Sequence, residues 1–247
     1  MSIHASDMRD DSASRGPRPI LAIECSTPEA SVAVRAADGG IVERAVPTGD
    51  RSRDHLPPAV DLLIEASQLD RRDLGGVAVS EGPGGFTGLR VSVAFAKGVA
   101  EALGIPALGV PSAVVASAST LADEDRRPTL VVMATKRGTA WVESIEADPD
   151  TGRRVSRGGQ LVDPTTAGEL RDDRRSVLAD ARQDPEIVAS LCAEGVSAQR
   201  LRFSAAALLR LAERTPAIEW GDPTDLTVRY PRAPEAVILW QARHADR

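Results

Sequence analysis

Three short apolar runs follow a polar stretch of seventeen residues at the start of the chain. The first run covers 20–23 and ends at Glu24, and two runs typical of β-strands follow at 31–36 and 41–46. Asp-Gly-Gly at 38–40 separates the last two runs, and glycine accepts the positive φ that tight hairpin turns require. The pattern predicts an antiparallel meander of three strands.

Helical spacing begins after the meander. Apolar residues recur every three or four positions between 56 and 69, which predicts an amphipathic helix. A short buried strand at 77–80 leads into a glycine-rich loop, and a long helix is expected over 86–103. Gly104 stands where a C-cap glycine belongs. Two further elements are predicted after it, a strand at 107–110 and a helix that begins at Pro111.

A charged segment at 123–128 interrupts this pattern and predicts a boundary between two lobes. After it we expect two strands around a turn at 136–138. Weaker patterns predict the remaining elements, which are strands near 157–162 and 176–180 and helices near 164–171, 184–193 and 203–214. We therefore divide the chain into a disordered tail at 1–17, an N-terminal lobe at 18–122, and a smaller second α/β lobe with a C-terminal segment at 123–247.

The order of these elements predicts an α/β fold in which helices cover the faces of a mixed sheet. It matches the ribonuclease-H-like lobe of actin, Hsp70 and sugar kinases, so we expect an actin/Hsp70-like fold of two lobes. No apolar run approaches the roughly 20 residues that span a bilayer, and the N-terminal tail lacks the apolar core of a signal peptide. Two cysteines without a CxxC pair indicate a reduced, cytoplasmic protein.

Composition argues against several classes of function. The formal net charge is −6, and Asp172 and Asp173 lie among the arginines at 171–175, so the chain has no basic stripe typical of an autonomous nucleic-acid binder. Its three histidines, His4, His55 and His244, form no His-x3-His pair. They therefore provide neither a zinc-peptidase motif nor a recognisable partner for a serine or cysteine nucleophile. We predict no metal and no cofactor.

The glycine-rich loop SEGPGGFTGLR, which starts at Ser80, allows three interpretations. It lacks the lysine of a Walker A loop, and Thr87 replaces the third glycine of a dinucleotide-binding fingerprint. A phosphate site at the helix N-terminus is nevertheless one interpretation. A sharp strand-to-helix turn that only glycine can follow is the second. The third is close packing of another helix, from this chain or another, against small residues such as Ala94 and Gly98.

Four segments occur together in the order found in the TsaB (YeaZ) family, and the chain resembles that family. They are ILAIECSTPEASVAV, GPGGFTGLR with its small-residue helix, IPALGVPS and YPRAPEA. The match is strong over 19–118, weak from 145 to 220, and returns at Tyr230, Arg232 and Pro234. The resemblance implies a non-catalytic paralogue of TsaD with the actin/Hsp70-like fold. In that family the protein pairs with TsaD and works with the ATPase TsaE, and the complex transfers a threonylcarbamoyl group from threonylcarbamoyl-AMP to adenosine 37 of tRNAs that read codons beginning with A.

The same resemblance implies that the loop and helix pack on TsaD or on a second copy of the chain, so a homodimer is a further possibility. The interface role is carried onto the matching positions Gly82, Pro83, Gly84, Gly85, Phe86, Thr87, Gly88, Leu89 and Arg90. We extend the expected surface along the helix to Ala94 and Gly98. On this interpretation Gly88→Arg or Ala94→Trp abolishes the heterodimer and leaves the monomer folded.

The chain departs from the family pattern at three positions. Glu24 stands where an aspartate is usual, which in nucleotide-hydrolysing relatives helps to hold Mg²⁺. Ala134 replaces an acid, and Trp141 replaces a tyrosine. An actin-fold ATP-dependent kinase is the alternative function, although only about 120 residues follow Asp123 for its second lobe. An interaction module without any connection to tRNA is the remaining alternative.

Overall fold

The computed structural model describes residues 18–47, 55–135, 138–231 and 240. The tail at 1–17, which we predict to be disordered, lies outside these ranges, as do Lys136 and Arg137 of the expected second-lobe turn. None of the described helices is long and apolar enough to cross a membrane.

The first sheet contains β1 Ile20–Glu24, β2 Ser31–Arg35, β3 Ile41–Ala45, β4 Gly76–Gly82 and β5 Ala107–Pro111. Its strand order is β3-β2-β1-β4-β5. The predicted meander is confirmed, because β1 pairs antiparallel with β2, and β2 with β3. β4 runs parallel to both β1 and β5. The helix α2, Phe86–Leu103, makes the crossover from β4 to β5, and Gly104 ends it at a φ of 63°, as the C-cap pattern predicts.

The second sheet is built from the later part of the chain. Its strands are β6 Thr129–Ala134, β7 Ala140–Ala147, β8 Arg154–Val162, β9 Ser176–Ala179 and β10 Gln199–Arg200. Their order is β10-β9-β6-β7-β8, with β6–β7 and β7–β8 antiparallel and the other two pairs parallel. The mixed sheets and their helices establish the α/β, actin/Hsp70-like fold class.

Four helices besides α2 cover the sheets, namely α1 Leu56–Ala66, α3 Ser112–Thr120, α4 Pro185–Leu191 and α5 Ala205–Glu213. α1 and α2 pack against the face of the first sheet that carries Leu21 and Ile23. α3 and α5 share a buried cluster with Ala22 on the opposite face and with Val131 of the second sheet. α4 packs on the far face of the second sheet. The two sheets are therefore joined by a common core around α3 and α5.

The prediction of a helix near 164–171 is wrong, because only a 3-10 turn, Ala167–Leu170, forms there. The carboxylate of Asp163 accepts hydrogen bonds from the backbone N–H groups of Thr165, at 2.9 Å, and Thr166, at 3.0 Å. These bonds satisfy N–H groups that are free at the start of any helix, so they begin the turn and do not limit its length. The expected helix contains two threonines and a glycine, which are weak helix formers, and it does not extend beyond this turn.

The predicted lobe boundary at 122/123 falls between α3, which follows the last strand of the first sheet, and β6, which begins the second sheet. α5 nevertheless packs across β1 and β2 of the first sheet, although it comes from the C-terminal part. Two contacts secure it there. The N–H of Ala205 donates to Ser31 Oγ at 3.0 Å, and Arg35 forms a paired hydrogen bond with Glu213 at 2.6 Å. The division into lobes stays a prediction.

Candidate protein interface

The glycine loop connects β4 to α2 and lies against the backbone of two other segments. Gly82 has a φ of 107°, and a Cβ atom there would overlap the carbonyl oxygen of Arg229. A Cβ at Gly84 would lie 2.5 Å from the carbonyl oxygen of Ser26. Real Cβ contacts are not this short, so both positions require glycine. This supports the interpretation of the loop as a turn that other residues cannot follow.

The backbone N–H groups that flank the turn already have acceptors within the chain. Gly85 donates to the carbonyl oxygen of Ser26 at 2.7 Å, and Gly82 donates to Ser112 Oγ at 3.1 Å. Ser112 Oγ in turn lies 2.6 Å from Ser26 Oγ, so the β1–β2 loop is tied to the start of α3. Phosphate sites at helix starts use free N–H groups. These two are engaged and are not available to a phosphate, whereas a site at the helix start would use the N–H groups in the first turn of α2.

Glu24, at the position of the usual aspartate, is fully buried at the end of β1. The N–H of Ser26 donates to its Oε1 at 2.6 Å, and the hydroxyl of Ser80 donates to Oε2. Burial raises the pKa of Glu24, and the hydrogen bonds from Ser80 and Ser26 only partly oppose this effect. Both carboxyl oxygens are thus bound by the protein itself. Across the described residues, no three His, Cys, Asp or Glu side chains are grouped as metal ligands.

A pocket of about 230 Å³ lies where the β1–β2 loop meets the second sheet. Arg182 and Arg200 line it, and each is ion-paired inside the chain. Arg182 forms a fork with Asp180 at 2.7 and 3.1 Å, and Arg200 lies 3.6 Å from Glu29. Pockets for ligands of ordinary drug size occupy about 300–1,000 Å³. The small volume and the paired arginines therefore do not favour a nucleotide in this pocket.

The eleven residues predicted for the interface divide into buried and exposed sets. Gly82, Pro83 and Leu89 are buried, and Gly88 is half-buried. The remaining residues are exposed: Gly84, Gly85, Phe86, Thr87, Arg90, Ala94 and Gly98. The buried set shapes the turn, and the exposed set is available to a partner.

Gly88 and Gly98 lie on the same helix, but only Gly98 has free space for a side chain. A Cβ at Gly88 would lie 2.5 Å from the carbonyl oxygen of Cys25, whereas a Cβ at Gly98 meets nothing within 4 Å. The expectation that Gly88→Arg leaves the monomer folded is therefore wrong, because the side chain would start inside the backbone of the neighbouring loop. Gly98 is open, so a substitution there changes the outer surface alone.

Phe86, Arg90 and Tyr230 form an exposed stack at the start of α2. The guanidinium carbon of Arg90 lies 3.6 Å from the ring centroid of Phe86 and 5.6 Å from that of Tyr230. Arg90 Nε also donates to the Tyr230 hydroxyl at 2.7 Å, and the two ring centroids are 5.5 Å apart. The stack joins the glycine-loop motif to the C-terminal YPRAPEA motif, a contact that sequence reasoning missed because 140 positions separate Arg90 from Tyr230.

The segment before Tyr230 is held along the end of β4. The N–H of Arg229 donates to the carbonyl oxygen of Glu81 at 2.7 Å, and the Arg229 side chain pairs with the buried Glu81 carboxylate. Burial raises the pKa of Glu81, and Arg229 partly opposes it. Lys97 Nζ donates to the carbonyl oxygen of Thr224 at 2.9 Å. Residues 224–230 are thereby fixed beside α2, whereas Arg232 and Pro234 lie outside the described residues.

Comparisons with known proteins identify relatives of this chain. The family model described as "TsaD: tRNA N6-adenosine threonylcarbamoyltransferase" matches residues 27–147. The uncharacterized protein Rv3421c of Mycobacterium tuberculosis is 31% identical over 224 residues, which cover 89% of this chain and 94% of that protein. A tRNA N6-adenosine threonylcarbamoyltransferase of Legionella pneumophila is 35% identical over 107 residues, which cover 37% of this chain and 32% of the enzyme.

Among solved structures, YeaZ from Pseudomonas aeruginosa superposes with a TM-score of 0.69 at 18% sequence identity. The superposition covers 87% of this chain and 100% of the YeaZ chain. The sequence relation to the threonylcarbamoyltransferase is confined to part of each protein, whereas the YeaZ fold extends over nearly all of this chain. The chain therefore belongs to the same family as Rv3421c, is related to the TsaD family over 27–147, and has the YeaZ fold.

Proposed function

We propose that this chain is a non-catalytic subunit of the cytoplasmic machinery that makes threonylcarbamoyladenosine (t6A) at adenosine 37 of tRNAs reading codons that begin with A. In this role it binds a TsaD-like catalytic subunit through the outer face of α2 and holds it in an arrangement that a TsaE-like ATPase and tRNA can use. The kinship with the TsaD family model supports a role in t6A modification of tRNA.

One observation carries the proposal. The exposed face of α2 carries the small residues Ala94 and Gly98 about one helical turn apart, and at Gly98 a Cβ would meet nothing within 4 Å. Glycine in a helix interior costs about 1 kcal/mol relative to alanine. No contact within the described residues offsets that cost at Gly98. A partner helix that approaches closely would do so, because the distance between packed helices depends on side-chain size at the contact.

The arrangement around the loop supports a binding role over catalysis. The N–H groups of Gly82 and Gly85 and the carboxyl of Glu24 are hydrogen-bonded within the chain. In addition, α3 and α5 fill the space between the two sheets with one buried cluster. A kinase of this fold needs a cleft that opens and closes around a nucleotide. A continuous core between the sheets opposes such a movement.

The charge of the chain favours tRNA contacts made through the complex. The net charge is −6, and the arginines between 171 and 182 are paired with neighbouring aspartates. Nucleic-acid binding depends on neutralising several phosphates with unpaired basic side chains. We therefore assign tRNA binding chiefly to the partner subunits.

The proposal is tested by light scattering coupled to size-exclusion chromatography, with the chain alone and mixed with the TsaD-like subunit of the same organism. We expect a one-to-one complex that Gly98→Trp abolishes. Gly168→Trp is the matched control, since a Cβ at Gly168 also meets nothing within 4 Å but the residue lies in the second lobe. Absence of a complex with the wild-type chain, or ATP turnover by the chain alone, would overturn the proposal.

A further inference from the structure

Arg90 is held in one orientation by three contacts. Its guanidinium plane covers Phe86 at 3.6 Å, the ring of Tyr230 lies at 5.6 Å, and Nε donates to the Tyr230 hydroxyl at 2.7 Å. Aromatic faces attract a guanidinium, and stacking leaves its edge free for hydrogen bonds. The ordering cost of a long arginine side chain is therefore already met before any partner arrives.

The terminal nitrogens of Arg90 have no acid to bind within the described part of the chain. Thirteen ion pairs join other arginines to Asp or Glu there, and none includes Arg90. Arg90 is exposed, and among the residues that the structure describes only its Nε has a hydrogen-bond partner. Arg90 is therefore an ordered cation without an acidic partner among the described residues.

Arg90 also stands in line with the small residues of α2. Ala94 and Gly98 follow it at intervals of four residues, so the three positions share one helix face over about 12 Å. Small residues permit close approach but do not fix how far a partner slides along the helix. A charged group at one end of the strip fixes that position, as single polar residues fix the register of packed helices.

We infer that Arg90 is a preformed carboxylate receptor, and that the partner which docks on α2 places an aspartate or glutamate side chain on its free edge. A guanidinium and a carboxylate can form two parallel hydrogen bonds, which specify orientation as well as position. Phe86 and Tyr230 act as positioning residues that hold the receptor. This inference rests on the proposed function, because it defines the chemistry of the surface that the TsaD-like subunit must present.

A protein carboxylate fits this site better than a nucleic-acid phosphate. The group lies beside the half-exposed ring of Phe86 and the apolar strip through Ala94 and Gly98. Lys97, the other cation of α2, donates to Thr224. A nucleic-acid footprint needs several available cations, and this face offers Arg90.

The test measures affinity of the full chain for the TsaD-like subunit of the same organism by titration calorimetry at two salt concentrations. We expect Arg90→Glu to weaken binding at least about 30-fold and to make the remaining affinity less sensitive to salt. Arg44→Glu is the matched control, since Arg44 is exposed on β3 and has no ion pair within the described residues. Reversing the charge of one Asp or Glu on the partner should restore binding to Arg90→Glu.

Tyr230→Phe provides a second variant that keeps the ring and removes only the hydrogen bond to Arg90. Tyr230→Phe should weaken binding about 2- to 10-fold. In a protein that already carries Arg90→Gln, adding Tyr230→Phe should not weaken binding further.

Three results would overturn the inference. In the first, the wild-type chain binds and Gly98→Trp abolishes binding, but Arg90→Glu binds as well as Arg44→Glu. Arg90 is then not a carboxylate receptor, and the proposed function stands. If Arg90→Glu keeps the protein complex and weakens only its affinity for tRNA, Arg90 binds phosphate instead. If the wild-type chain does not bind, the proposed function fails and the inference with it.

Discussion

The carbonyl oxygen of Cys25 lies 2.5 Å from the point where a side chain at Gly88 would begin. This close approach lets the first turn of α2 rest directly on the end of β1. It also explains why a glycine stands in a helix at this position, where alanine is intrinsically favoured by about 1 kcal/mol.

Replacing Gly88 by alanine should therefore destabilise the protein by about 1–3 kcal/mol, the usual cost of overpacking. The contact is with backbone, which cannot rotate away as a side chain can. Urea unfolding followed by circular dichroism measures the change. A Gly88→Ala protein as stable as the wild type would mean that the β1–β2 loop moves freely, contrary to its hydrogen bonds with Gly85 and Ser112.

Gly98→Ala should have the opposite effect on the same helix. With nothing within 4 Å of the new Cβ, the substitution gains about 0.5–1 kcal/mol of helix stability. The unfolding midpoint of the isolated chain should rise while its affinity for the partner falls. A loss of stability would show that the outer face of α2 is covered within the monomer.

The carboxyl of Glu24 makes stability depend on pH. Because burial raises its pKa in the folded state, the folded protein holds this proton at pH values where the unfolded chain releases it. The free energy of unfolding should therefore fall as the pH rises above the usual range of a glutamate. Glu24→Gln should remove part of that fall, as judged by urea unfolding between pH 4.5 and 8.

The exposed Glu65 on α1 provides a control for this effect. Glu65→Gln makes the same change of side chain at an exposed position and is measured alongside. Equal slopes in the wild-type and Glu24→Gln proteins would contradict a buried, proton-retaining carboxyl at this site.

Cys25 should be an unreactive thiol. It is buried, and its pKa is raised to about 12 by desolvation and, to a lesser degree, by Glu24. The thiolate is the reactive form. In a protein that carries Cys192→Ala, a disulfide reagent at pH 8 should label Cys25 only as fast as the protein unfolds. Rapid labelling of the folded protein would contradict this placement.

The shared core of α3 and α5 should make the two sheets unfold together. Trp141 reports on the second sheet, where it packs on Gly159, and Trp220 reports on the first, where it packs on Gly76. Single-tryptophan proteins carrying either residue should give coincident urea transitions. Leu208→Ala in α5, at a fully buried position, should move both transitions together by about 2–5 kcal/mol. Separate transitions would mean that the sheets fold independently.

The sequence predicts the first sheet well because its elements are defined locally. The alternation at 31–36, the Asp-Gly-Gly turn and Gly104 each determine a few neighbouring residues, and each is confirmed. The helix at 164–171 fails for a local reason as well, since its two threonines and its glycine are weak helix formers.

The features that sequence reasoning missed depend on distant contacts. The helical pattern identifies α5, but nothing in 203–214 indicates that the helix packs on β1 and β2. The stack of Phe86, Arg90 and Tyr230 likewise depends on how the C-terminal segment returns to α2. Gly82, Pro83 and Leu89 are buried, whereas most other residues of the predicted interface are exposed. Burial depends on the assembled fold, so the sequence pattern alone does not distinguish the two sets.

The return of α5 to the first sheet affects how the protein is made. Ala205 bonds to Ser31, and Glu213 pairs with Arg35 across 178 positions of sequence. While the ribosome synthesises the intervening second sheet, the face that carries Ala22 and Ala33 has no α5 to cover it. At about 5–20 residues per second, this apolar surface is exposed for seconds in every nascent chain. The first sheet is synthesised first but covered last, so we expect the nascent protein to need protection until its C-terminal helix emerges.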